Sequence, residues 1–130
     1  MLIAIVGAAK SGRTTVARFI ATELRLNTPG INLSGCSFDN FEKQQGKIKI
    51  IDDVGFETQV TYLRQFNPVF IKVTCDWVPP LGSFMDSIYW FNEVHNLSKG
   101  DQRPLYEKCA EIANILKGMI NGSVVNAPNG

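Results

Sequence analysis

The chain has 130 residues, 45% of them hydrophobic and 19% charged, which is the balance of one ordinary globular domain. A net charge of +1 gives no general reason to expect nucleic acid or an anionic membrane as a partner, and no run approaches the ~20 apolar residues of a membrane span. Cys36, Cys75 and Cys109 are widely spaced with no C-x-x-C, a pattern that fits reduced structural thiols better than a disulfide framework or a zinc site. The expectation is a soluble cytoplasmic protein.

Leu2-Ile3-Ala4-Ile5-Val6 is an apolar run of strand length, without the basic residues that would precede a secretory signal core. It runs into Gly7-Ala8-Ala9-Lys10-Ser11-Gly12-Arg13-Thr14. Here the spacing G-x-x-x-x-G is that of a phosphate-binding P-loop, in which two glycines let backbone N–H groups converge on an anion and the next helix adds its positive end. The bland alternative is a strand-to-helix turn that needs glycine for its φ angles. Val16, Phe19, Ile20 and Leu24 follow at helical spacing, so the order strand, glycine loop, helix favours the phosphate site. Arg13 stands where such loops carry lysine. A forked guanidinium does not simply replace a compact ammonium at a fitted site, so the motif predicts phosphate binding better than phosphate chemistry.

The first helix is expected to fade between Arg25 and Asn27. Thr28-Pro29-Gly30 signals a turn, Ile31 to Cys36 a short strand, and Ser37 to Lys47 a polar surface segment anchored by Phe38 and Phe41. Ile48 to Val54 is a strand that ends in two carboxylates, Asp52 and Asp53. Beside a P-loop strand such an acid holds Mg²⁺, directly or through water; otherwise the pair is a common Asp-rich turn. Phe56, Val60 and Leu63 are spaced as one face of a short helix, which Asn67-Pro68 stops before a strand from Val69 to Thr74. Strand, helix and strand at this length imply a parallel pair with a right-handed crossover.

After Pro79-Pro80, Ser83 with Asp86 resembles a capping box, and Phe84, Ile88, Phe91 and His95 share one helical face, so a helix is expected there. Tyr89-Trp90-Phe91 reads as core packing, with a base-stacking platform or a partner surface as alternatives. His95, the only histidine, reads as a helix-end residue rather than a metal ligand or base. Lys99 and Arg103 are either lid cations or part of a solvated loop. Pro104 opens a last helix through Leu105, Cys109, Ile112, Leu116 and Ile120, which Gly122 is placed to end, with a marginal edge strand at Ser123 to Asn126.

Two segments, GAAKSGRTTVA and IIDDVGFETQVTYLR, resemble the bacteriophage deoxynucleoside monophosphate kinases, a branch of the P-loop kinases. The resemblance implies a single three-layer α/β domain of the P-loop NTPase kind over residues 1–130, with a mostly parallel sheet of three to five strands and helices on both faces. It implies ATP and Mg²⁺ as cofactors. Gly7, Ser11, Gly12, Arg13, Thr14 and Thr15 would form the nucleotide site, with Thr14 and Asp53 on the metal and Thr15 as the alternative hydroxyl. Against the family pattern, Arg13 replaces the lysine, Thr14 replaces the loop's aspartate, and Gly55 stands where the family has an arginine.

Two functions are compatible with this. One is a shortened, degenerate kinase that no longer transfers phosphate and acts by binding a protein partner, a host factor if the phage likeness holds and the protein works in the host cytoplasm. The other is an active kinase in which Arg13 and Lys10 neutralise the transferred phosphoryl, Asp53 assists through the metal, and an acceptor site lies near Asp39 and Phe41. The second needs an acceptor-binding insertion and a lid, for which the chain leaves little room.

Overall fold

A computed structural model describes residues 1–26 and 48–126, with side chains as far as residue 120. Strand β1 (Leu2–Gly7) leads through the glycine loop into helix α1 (Arg13–Glu23). Strand β2 (Lys49–Val54) is followed by helix α2 (Glu57–Leu63), a 3₁₀ turn at Arg64–Phe66 and strand β3 (Val69–Cys75). A second 3₁₀ turn at Ser83–Ser87 precedes strand β4 (Trp90–Asn96), and helix α3 (Arg103–Asn126) ends the described chain. The four strands form one sheet in the order β2-β1-β3-β4, every neighbouring pair parallel. The glycine-loop strand is therefore central, and the acid-bearing strand lies beside it. β2 and β3 are parallel, as their connection requires, but they flank β1 instead of pairing with each other.

A parallel sheet buries both faces, which explains the nearly continuous apolar run of β1. Its side chains alternate between two cores. Ile3 and Ile5 pack with Val16, Ala17, Ile20 and Ala21 of α1 and with Leu105, Cys109, Ile112 and Leu116 of α3. Ala4 and Val6 face the other way, onto Val60 and Leu63 of α2 and onto Met85 and Ile88 around the second 3₁₀ turn. Helical segments thus cover both sides, an arrangement compatible with three layers. Burial pushes the Cys109 thiol up to about 12, so it stays protonated in the core. Among the described residues no helix is long and apolar enough to cross a membrane.

Several expectations are corrected. The stretch after Ser83 holds only one 3₁₀ turn, and Trp90–Asn96 is a strand. Its aromatic and β-branched residues suit the sheet; Trp90 and Phe91 face different cores, as successive strand residues do, and Phe91 is the extra residue at a register irregularity opposite Phe70/Ile71. His95 is accordingly a strand residue, not a helix-end one. Helix α3 continues through Gly122 to Asn126, so neither the stop nor the edge strand at Ser123 to Asn126 forms. Phe56 lies outside the apolar face of its helix and is exposed. The turn at Thr28 to Gly30, the strand at Ile31 to Cys36, the segment from Ser37 to Lys47 and the acceptor residues Asp39 and Phe41 lie outside the described residues.

Candidate functional site

The carboxyl ends of the parallel strands gather the chemistry-bearing side chains on one edge of the sheet, the edge at which open α/β sheets bind ligands. Gly7 closes β1 against β3: a Cβ there would sit 2.5 Å from the Val73 carbonyl oxygen and 3.0 Å from Ser11 Oγ. Only a residue without a side chain permits that approach. Lys10 then takes φ 67°, and Gly12 takes φ 106° as the residue before α1. A Cβ on Gly12 would also meet Asn96 Nδ2 at 2.7 Å, so both its backbone angle and its surroundings demand glycine.

Two side chains beyond the loop hold it in this shape. The Trp77 indole N–H donates to the Lys10 carbonyl at 2.8 Å, pinning the left-handed residue. Buried Asn96, at the end of β4, directs its amide N–H to the Ser11 carbonyl at 3.5 Å. Lys99 stands over the Trp77 ring, 5.2 Å from its centroid, which brings a cation from the β4–α3 connection to the loop. Neither Trp77 nor Asn96 was singled out from sequence. The one signal for Trp77 was a large aromatic in a proline-bounded connection, and Asn96 gave none.

Ser11 is 2% exposed, and its Oγ is the only buried side-chain oxygen or nitrogen among the described residues without a hydrogen-bond partner. A buried hydroxyl left unpaired costs about 1–3 kcal/mol. It lies inside the loop, against Gly7. Directly after it, α1 begins with no side-chain cap and no acidic residue in its first turn, so its first N–H groups and dipole are not offset by a local carboxylate. Thr14 is exposed and Thr15 half-buried in that turn, while Lys10 is exposed at the loop's crest.

Arg13, the first residue of α1, does not extend away from the sheet. Its Nη1 lies 3.0 Å from where a Cβ of Gly55 would be, a position 3.5 Å from the Gly7 carbonyl oxygen, so the guanidinium crosses from the loop to the end of β2. Burial lowers its pKa, and the charges of Asp53 and Asp52 oppose that shift. Asp52 is raised, by burial first and by the neighbouring Asp53 second, with Arg13 working against both. Sequence reading grouped Arg13, Asp53 and the loop, and the structure brings them together. The role of Gly55, which leaves room for the guanidinium, was not foreseen.

A further line of polar groups runs along the outer part of the sheet. Thr74 Oγ1 and His95 Nδ1 are 2.7 Å apart, and His95 Nε2 is 2.7 Å from Asp76 Oδ1. The imidazole, held between a hydroxyl and a carboxylate, is fixed in orientation. This depends on pairing β3 with β4 at Thr74 and His95, which no local pattern announces.

Comparison with protein-family models, with curated proteins and with solved structures gives no significant match. Any functional reading therefore rests on these residues and their geometry.

Proposed function

We propose that the chain is a P-loop domain of nucleotide-kinase type that binds the phosphate groups of a nucleotide in its glycine loop without transferring them. The observation that carries this is Ser11: a buried, unpartnered hydroxyl inside a glycine-shaped loop, at an uncapped helix N-terminus on the carboxyl edge of a parallel sheet. A phosphate oxygen would supply the missing partner and meet the helix N–H groups. Binding is favoured over transfer because the guanidinium in the lysine position lies by Gly55 and the acid pair. Removing one preorganised transition-state charge costs ~10²–10³ in rate.

In this reading the domain acts through a protein partner. Tyr89 is its surface anchor, being 93% exposed, whereas Trp90 and Phe91 pack against the two cores. The test is calorimetric titration of the purified protein with ATP, ADP and deoxynucleoside monophosphates, alongside a phosphoryl-transfer assay. Nucleotide binding that weakens about tenfold in Ser11→Ala, with no transfer, is the expected outcome. Turnover would restore the active-kinase alternative. Failure of every nucleotide to bind at millimolar concentration would leave the loop a purely structural turn.

A further inference from the structure

The kinase resemblance implies a Mg²⁺ ion between the loop hydroxyl and the acid of β2, and the residues present do not fit one. Mg²⁺ needs an octahedral oxygen shell, drawn from one or two carboxylates, water and the ligand's phosphates. The carboxylates available are Asp52 and Asp53, at the end of a strand that Gly55 directly follows. Over Gly55 lies Arg13 Nη1, and both aspartates already act on that guanidinium as counter-charges. Without bound phosphate, a divalent ion in the same half-buried space would set three positive charges against two negative ones.

We infer that Arg13 is a tethered cation standing in for the metal, so that the loop takes phosphate groups in their metal-free form. This rests on the phosphate-binding reading above and names the state of the ligand. A guanidinium suits the task because its five N–H donors form a planar fork, enough to answer nearby carboxylates and still offer donors to a phosphate oxygen. The missing side chain at Gly55 is what makes the space. The ligand class is a metal-free phosphoanhydride or phosphate ester, such as a nucleoside diphosphate, in preference to a Mg²⁺–nucleoside triphosphate complex.

The experiment uses inorganic pyrophosphate as the probe, titrated calorimetrically into the whole chain once in EDTA and once in excess MgCl₂. Mn²⁺ binding to the nucleotide-free protein is followed separately by electron paramagnetic resonance. The wild-type protein should bind pyrophosphate in EDTA, should bind it severalfold more weakly in excess MgCl₂, which ties up the free anion, and should leave the free Mn²⁺ signal undiminished. Arg13→Gln should lose about tenfold or more of its affinity in EDTA, the loss expected for one charge-assisted contact, and recover it with Mg²⁺. The same variant should take up Mn²⁺, because Asp52 and Asp53 are then released. Pyrophosphate binding by the wild type that Mg²⁺ leaves unchanged or strengthens, or Mn²⁺ uptake by the wild type, would overturn the tethered-cation role and leave the phosphate site standing. No pyrophosphate binding in either buffer would end both. The wild-type measurements decide the matter even if the variant does not fold.

Discussion

At the scale of single residues, the loop is held by two glycines for different reasons, and substitution should separate them. Gly7 lacks space: a methyl group would meet the Val73 carbonyl at 2.5 Å, which forces β1 and β3 apart. Gly12 lacks a permissible backbone, at φ 106°, and has Asn96 as a close neighbour. Gly7→Ala is expected to cost about 2 kcal/mol or more in urea denaturation, because it overpacks the middle of the sheet. Gly12→Ala should cost about 1–2 kcal/mol and abolish nucleotide binding even in molecules that remain folded, since the loop's N–H groups lose their convergence. Asp52 offers a test of opposite sign. Its folded pKa is raised, so the native state holds its proton more tightly than the unfolded state, and stability falls as pH rises from the ordinary carboxylate value through the raised one. Asp52→Asn should therefore raise the urea midpoint at neutral pH and leave it unchanged at pH well below that window. Solvent screening limits the gain to about 1 kcal/mol or less.

At the scale of elements, the amphipathic helices and the apolar strands β1, β2 and β3 were legible, and β4 was not. Val16 and Ile20 in α1, and Leu105, Cys109, Ile112 and Leu116 in α3, announce their helices by spacing, and all are buried as expected. β4 was misread because Phe84, Ile88, Phe91 and His95 imitate a helical stripe. What they actually share is a 3₁₀ turn followed by a strand with a register irregularity that breaks the two-residue alternation. Glycine misled at the other end. Gly122 lies within α3 because the helix is held by packing upstream, where five of its side chains are buried: Leu105, Cys109, Ile112, Ala113 and Leu116. Gly118, in the same helix, is exposed, and a methyl group there meets nothing within 4 Å. Gly118→Ala should stabilise the protein by about 0.5–1 kcal/mol in thermal or urea unfolding, through helix propensity alone. A loss would show that α3 is not helical at that point in solution.

At the scale of the molecule, half of the candidate site could be read from the chain and half could not, on the same physical ground. The glycine loop, Arg13 and the acid pair are each local in sequence, and a strand–loop–helix order suffices to suggest where they meet. Trp77, Asn96, the space over Gly55 and the Thr74–His95–Asp76 line exist only once four strands are set side by side. The order of those strands bears on how the chain reaches its native state. β1 comes first in sequence but finds its partners only at Lys49 and Val69, and long-range parallel pairing of this kind makes for slow folding. Until then its apolar side chains remain exposed to aggregation, a hazard during synthesis as well as during refolding. The alternation of β1 links the two cores as well: Ile3 and Ile5 belong to one, Ala4 and Val6 to the other. Neither core can be completed without the strand that completes its neighbour, so the two faces should melt together in a single cooperative transition, with no intermediate that keeps one side of the sheet intact.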